Sequence, residues 1–134
     1  MIVVDASVVI EVLLRTELGE RVQPRVLDPD QRLHAPHVLD LEITQVLRRM
    51  VQLKELAPAR ADEALEDFFA LLIERAGHRE LLLRIWELRE SLTAYDRAYV
   101  ALGEALDAPV LTCDARLARA HGHRARVELL REDY

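Results

Sequence analysis

Asp96 and Asp114 bracket one helix and one strand within the stretch Leu92 to Arg116, LTAYDRAYVALGEALDAPVLTCDAR. Thr93 is a cap residue with Asp96 three positions on as the capping-box acid, and the helix this predicts runs through Tyr99, Leu102 and Leu106. Asp107-Ala108-Pro109 ends it, because a residue before proline is biased away from helical geometry. Val110-Leu111-Thr112 then reads as a short buried strand, and Asp114 stands just past its end, ahead of a helical segment from Ala115 to Ala120. Ligands of an open parallel sheet bind beyond the carboxyl ends of its strands, so a carboxylate there is placed for chemistry, offering hard oxygen to a cation. Taken singly, each acid is equally a helix cap.

A second junction of the same kind lies at the start of the chain. Ile2-Val3-Val4 is a β-branched run suited to a central parallel strand, Asp5 ends it, and Ala6 to Leu14 reads as a helix with Ser7 close behind the acid. A third acid comes from the helix Val38 to Leu53, whose apolar stripe is Leu39, Ile43, Val46, Leu47 and Met50. Asp40 and Glu42 both fall roughly 80° from the stripe centre, on opposite flanks. Periodicity alone does not choose between them.

The elements that must position these acids alternate between strand and helix. Glu17 to Leu27 predicts a second, more polar helix, Asp28-Pro29-Asp30 a turn, and Leu33-His34-Ala35 a strand ended by Pro36. Pro58 opens a helix whose run LEDFFALLI carries it through Leu65, Phe68, Phe69, Leu72 and Ile73 to Gly77, and a strand is expected within His78 to Leu83. A short helix through Ile85, Trp86 and Leu88 leads back to Leu92, and after the turn His121-Gly122-His123 an edge strand is expected at Val127 to Leu130. With no long linker and no repeat, residues 1–134 read as one α/β domain, a three-layer α/β/α sandwich around a central, mostly parallel sheet.

Composition narrows the function classes. The chain is 51% hydrophobic and carries a net charge of −6, which by itself disfavours a nucleic-acid partner. Lys54 is the one lysine among 18 basic residues, so the positive charge is almost all guanidinium, the group suited to bidentate phosphate contacts. Cys113 is alone, which excludes an intramolecular disulfide and a cysteine metal cluster, and its neighbour Asp114 opposes thiolate formation. The four glycines are isolated, so no phosphate-cradling loop is present, and there is no G-x-S-x-G elbow. The start of the chain lacks a basic signal-peptide region and no apolar run is long enough to span a membrane, so a cytoplasmic location is expected.

Three blocks of this chain, VVDASVVIEVLL, HAPHVLDLEITQVLRR and TAYDRAYVALGEALDAPVLTCDARLARA, resemble in order the PIN domain, and within it the VapC-type toxins of toxin–antitoxin systems. The last block is the most specific, since a tyrosine-aspartate pair opens a helix and T-x-D marks the following strand end. The resemblance settles the tie in the middle block for Glu42, with Asp40 in reserve. It implies that Asp5, Glu42, Asp96 and Asp114 bind Mg²⁺ or Mn²⁺ in an endoribonuclease site, with Ser7 and Thr112 as accompanying hydroxyls. Taking those four carboxylates out of the charge count leaves −2 for the rest of the chain. Grouped carboxylates repel one another, a hard divalent cation relieves that repulsion, and a helix N-terminus helps to keep Asp96 ionised. The resemblance also implies RNA as substrate, a VapB-like antitoxin that occludes the acidic pocket with a basic side chain, and a homodimer. Arg97 and Arg116, each close in sequence to an acid, are the expected substrate or antitoxin contacts, with a surface ion pair as the alternative for both.

Three rival readings stand beside this one. His34 and His37, or His121 and His123, could serve a metal-independent ribonuclease as acid and base. A phospho-receiver also gathers acids at strand ends, but it needs a lysine after a late strand, and Lys54 lies mid-chain. A binding-only protein with an inactive site is the third.

Overall fold

The computed structural model describes residues 1–131. Five strands, β1 (Ile2–Val4), β2 (Leu33–Pro36), β3 (Ile73–Ala76), β4 (Val110–Thr112) and β5 (Val127–Leu129), form one sheet in the order β3-β2-β1-β4-β5. Every pairing is parallel. Parallel strands need crossovers, and helices supply them: α1 (Ala6–Leu14) and α2 (Glu17–Val26) between β1 and β2, α3 (Val38–Gln52) and α4 (Pro58–Ala70) between β2 and β3. A 3-10 turn at Arg79–Leu81, α5 (Leu82–Glu87) and α6 (Ala94–Leu106) then return the chain to β4, and α7 (Ala115–Ala118) leads to β5.

The strand order reverses at β1. From there the chain steps outward to β2 and β3, crosses back over β1 through α5 and α6, and continues on the other side as β4 and β5. Right-handed crossovers in opposite directions put α1 to α4 on one face and α5 and α6 on the other, the three-layer α/β/α arrangement expected from the sequence. The adjacent carboxyl ends of β1 and β4 are therefore the topological switch point, where a crevice opens. Both strands are buried along their whole length, as near-continuous Ile/Val/Leu runs require. Gly103 lets α6 lie close to the sheet beside β4, since a Cβ there would stand 2.5 Å from Val110 Cγ2. Asp107 then closes α6 in the left-handed conformation at φ 49, and Ala108-Pro109 delivers the chain to β4.

One element differs from its sequence pattern. The apolar run through Leu72 and Ile73 predicts helix to Gly77 and a strand within His78 to Leu83. Instead α4 stops at Ala70, Leu71 turns extended (φ −71, ψ 134), β3 occupies Ile73–Ala76, and 79–87 is helical. A run of this length fits either period; the unpaired edge of β2 decides it, pairing Leu33 with Ile73 and Pro36 with Ala76. Leu72, read as part of the stripe, is 91% exposed. No helix among the described residues is long and apolar enough to cross a membrane.

Candidate active site

Asp5 is held from three directions at the end of β1. Its backbone N–H donates to the Leu111 carbonyl at 3.2 Å, extending the ladder in which Val3 pairs with Val110 and Val4 with Leu111. That register brings the next residues, Asp5 and Thr112, side by side, and Thr112 Oγ1 donates to Asp5 Oδ2 at 2.5 Å. The other carboxylate oxygen accepts from Ser7 Oγ at 2.5 Å and from the Val8 N–H at 3.3 Å, so Asp5 does cap α1 as its position suggests. Ser7 Oγ in turn accepts the Cys113 N–H at 2.8 Å, and Thr112 Oγ1 accepts the Asp114 N–H at 2.9 Å. Two hydroxyls thus lock the loop after β4 onto the end of β1. Asp114 follows, half-buried, capping α7 through the Arg116 N–H at 2.8 Å and pairing with the Arg116 guanidinium at 3.3 Å.

The helices bring the other two acids to the same edge. Glu42 lies on the flank of α3 that faces α6, where Tyr99 Oη donates to its Oε1 at 2.5 Å. Asp40, on the opposite flank, is bound by Arg75 of β3 at 2.8 and 3.1 Å. Asp96 sits in the first turn of α6, its N–H capped by Thr93 Oγ1 at 3.3 Å and its Oδ2 accepting from the same hydroxyl at 3.2 Å.

The electrostatics link the acids in a chain. Burial raises the pKa of Asp5, which is 7% exposed, against the lowering effect of its Ser7 and Thr112 hydrogen bonds. Burial also raises Glu42, opposed by the Tyr99 hydroxyl and reinforced by the charges of Asp96 and Asp5. Asp96 is raised by burial and by the charge of Asp114, with Thr93 and Arg116 opposing. Asp114 is the exception: burial pushes it up, but the Arg116 amide and guanidinium outweigh this and hold it below the usual carboxylate range. Among the described residues no group of three or more His, Cys, Asp or Glu side chains is close enough together to hold a metal ion. The donor chemistry is nonetheless of the kind a hard divalent cation takes, all carboxylate oxygen, and neighbouring acids repel: Asp5 and Asp96 each act on Glu42, and Asp114 acts on Asp96. An open, partly formed ligand set is what Mg²⁺ takes, completing its shell with water and substrate phosphate.

Tyr99 was legible only as an apolar position of α6, yet it is fully buried and its hydroxyl is aimed at Glu42. Its spacing three residues after Asp96 was the available signal. Arg97 is 8% exposed and its Nε donates to the Thr93 carbonyl at 3.1 Å, so it is neither presented to solvent nor in an ion pair among the described residues. Arg116 is exposed and paired with Asp114. The Cys113 thiol is pushed up to about 11 by burial and then by the charges of Asp5 and Glu11, rather than by Asp114. His34 is buried in β2, 3.6 Å from Glu74, and His37 begins α3, whereas His121 and His123 precede β5; β1 and β4 separate the two pairs.

A family model described as PIN domain matches residues 2–122 of this chain. Ribonuclease VapC12 of Mycobacterium tuberculosis is 36% identical over 130 residues, covering 97% of this chain and 99% of that one. VapC ribonuclease Mb0985 of Mycobacterium bovis is 43% identical over 118 residues, covering 88% and 89%. Among solved structures, VapBC2 from Rickettsia felis, bound to a DNA fragment from its promoter, superposes with a TM-score of 0.68 at 13% identity over 96% of this chain and 98% of that one. PAE2754 from Pyrobaculum aerophilum gives 0.67 at 19% identity over 87% and 83%. With a family model spanning nearly the whole chain and relatives of this identity and coverage, the chain belongs to the PIN domain family, and within it to the VapC group.

Proposed function

We propose that the protein is an endoribonuclease and the toxin of a VapBC-type module, hydrolysing RNA phosphodiester bonds at the crevice between β1 and β4. The observation that carries this is that Asp5, Glu42, Asp96 and Asp114 come from four separate elements at the switch-point edge, with burial raising the pKa of the first three, the charges of Asp96 and Asp5 adding to Glu42 and that of Asp114 adding to Asp96. Holding three raised acids at one edge costs stability while they are ionised, and a cation-binding function accounts for that cost.

The four carboxylates are the proposed ligands for Mg²⁺ or Mn²⁺. When bound there, such a cation supplies Lewis-acid polarisation of the scissile phosphate and activates the attacking water. The protein's own groups do the rest. Ser7 and Thr112 fix the orientation of both Asp5 oxygens, and Tyr99 fixes one oxygen of Glu42. Arg116, exposed beside Asp114, is placed to meet a substrate phosphate once Asp114 is otherwise neutralised. Water adds to phosphorus, the bond to the 3′ oxygen breaks, and the proton ends on that oxygen, leaving 5′-phosphate and 3′-hydroxyl ends.

The named relatives support the ribonuclease reading, and the VapBC2 neighbour supports a VapB-like antitoxin as partner. A homodimer belongs to the same reading. The test is cleavage of total RNA by wild type and by Asp96→Asn. Cleavage by the wild type alone supports the site; equal cleavage by both removes it.

A further inference from the structure

Beside the acids lies a cavity of about 590 Å³ that Asp96 shares as a wall. Its lining includes Arg89, Arg116, Arg119 and His121, with Glu90 and Asp96 as the carboxylates. Three guanidiniums against two carboxylates is an inversion for a chain of net charge −6. Arg116 is bound to Asp114, but neither Arg89 nor Arg119 forms an ion pair among the described residues, whereas Arg25, Arg75, Arg84 and Arg126 are each paired with a carboxylate. Arg89 is also held in place: its guanidinium lies 4.5 Å from the centre of the Trp86 ring and its Nη1 donates to the Trp86 carbonyl at 3.1 Å. A cation so oriented, and without an anion, is prepared for an external one.

We propose that this cavity is a phosphate subsite for the RNA strand next to the scissile bond, with Arg89 and Arg119 taking the backbone phosphates adjacent to the one at Asp96. The inference rests on the ribonuclease reading and goes beyond it in naming residues outside the acidic set. Its physical logic is that a polyanion must approach four carboxylates, and a basic wall on the approach offsets that repulsion. The volume suits roughly one to two nucleotides of a single strand, in the range of ligand cavities generally. Arginine is the residue that grips phosphate through two parallel hydrogen bonds.

The experiment uses the full chain silenced with Asp5→Asn, and a fluorescent, mixed-sequence, single-stranded 20-nucleotide RNA followed by anisotropy across salt concentrations. Adding Arg89→Ala or Arg119→Ala should weaken binding and flatten the dependence of log K on log salt by about 0.7 per lost contact. Arg32→Ala is the control, since Arg32 is exposed just before β2, at the amino end of that strand and so at the end of the sheet opposite the strand carboxyl ends. On the active background the same two variants should raise KM with little change in kcat. Unchanged binding and KM in both variants, or an equal loss in Arg32→Ala, overturns the subsite while leaving the ribonuclease reading intact. RNA affinity unaffected by the two variants while an acidic peptide loses its hold assigns the cavity to a protein partner and likewise overturns it. A wild type that neither binds nor cleaves any RNA removes both readings together.

Discussion

Asp5 and Thr112 are 107 residues apart in the chain, yet the Thr112 hydroxyl donates to the Asp5 carboxylate at 2.5 Å. The contact is the side-chain continuation of the β1–β4 ladder, so the sheet register itself sets the geometry of the crevice. Thr112 Oγ1 also accepts the Asp114 N–H, which makes one hydroxyl responsible for two of the four acids. Thr112→Val keeps the shape and removes both bonds. Its cleavage rate should fall about 10- to 100-fold, the usual loss when a partner of a metal ligand is removed, and Thr112→Ser should retain most of it. Steady-state rates of the two variants decide this, and a fully active Thr112→Val would detach the hydroxyl from the site.

Tyr99 gives a prediction about pH. Burial raises Glu42 and the Tyr99 hydroxyl pulls it back down, so Tyr99→Phe should raise Glu42 further. If Glu42 must be ionised for activity, the acid limb of the pH–rate profile moves to higher pH in Tyr99→Phe, with the alkaline side little changed. An unmoved acid limb would separate Glu42 from the rate.

The raised acids also set how the protein responds to cations. An acid whose folded pKa lies above its unfolded value costs stability while ionised, and the cost is relieved as pH falls through the folded value. Asp5, Glu42 and Asp96 all have folded pKa values raised above the usual carboxylate range, first of all by burial. A divalent cation that binds only the folded form relieves the same cost, so Mg²⁺ or Mn²⁺ should raise the melting temperature in a saturable way by a few degrees. In Asp5→Asn the cation-dependent rise should shrink, while the melting temperature without cation holds or increases. Thermal shift at fixed ionic strength, with NaCl as the control, reads both effects.

A second charge cluster behaves oppositely and concerns the frame. Arg84 of α5 grips Glu104 of α6 at 2.7 and 2.9 Å, and the Arg124 N–H adds a third bond at 2.7 Å. The Glu104 side chain is 4% exposed and its pKa is lowered, first by Arg84. A lowered acid contributes stability that is fully present above its unfolded pKa of about 4.3 and is lost as pH falls through the folded value. Arg84→Ala leaves a buried carboxylate short of its partner and should cost about 2 kcal/mol at pH 7. Denaturant melts at pH 7 and below pH 4 should show that difference shrinking in acid.

Much of this architecture is readable from local chemistry. Asp5, Thr93 and Asp114 announce helix starts, Asp107-Ala108-Pro109 announces a stop, and the β-branched run Ile2-Val3-Val4 announces a central strand; each is fixed within a few residues. β3 was not readable, because Leu71-Leu72-Ile73 satisfies either period and its true partner, the edge of β2, lies about 40 residues back in the chain. Asp40 and Glu42 show the same limit within the site. Their helical positions are near mirror images about the apolar stripe, and only the neighbours across space, Arg75 for one and Tyr99 for the other, distinguish them. Arg97 departs from its pattern: an arginine near the start of a helix reads as exposed, whereas this one is buried and turns back to donate to the Thr93 carbonyl.

The most direct measurement of the central claim is cleavage of a defined single-stranded RNA by wild type and Asp5→Asn, with Mg²⁺ or Mn²⁺ and with EDTA, followed by chemical identification of the cut ends. Cation-dependent cutting by the wild type that leaves 5′-phosphate and 3′-hydroxyl ends, abolished in Asp5→Asn while its fold persists, is the result expected. Cutting that survives EDTA and leaves 2′,3′-cyclic phosphate, or that persists in Asp5→Asn, would contradict the four-carboxylate site and return the histidines to contention.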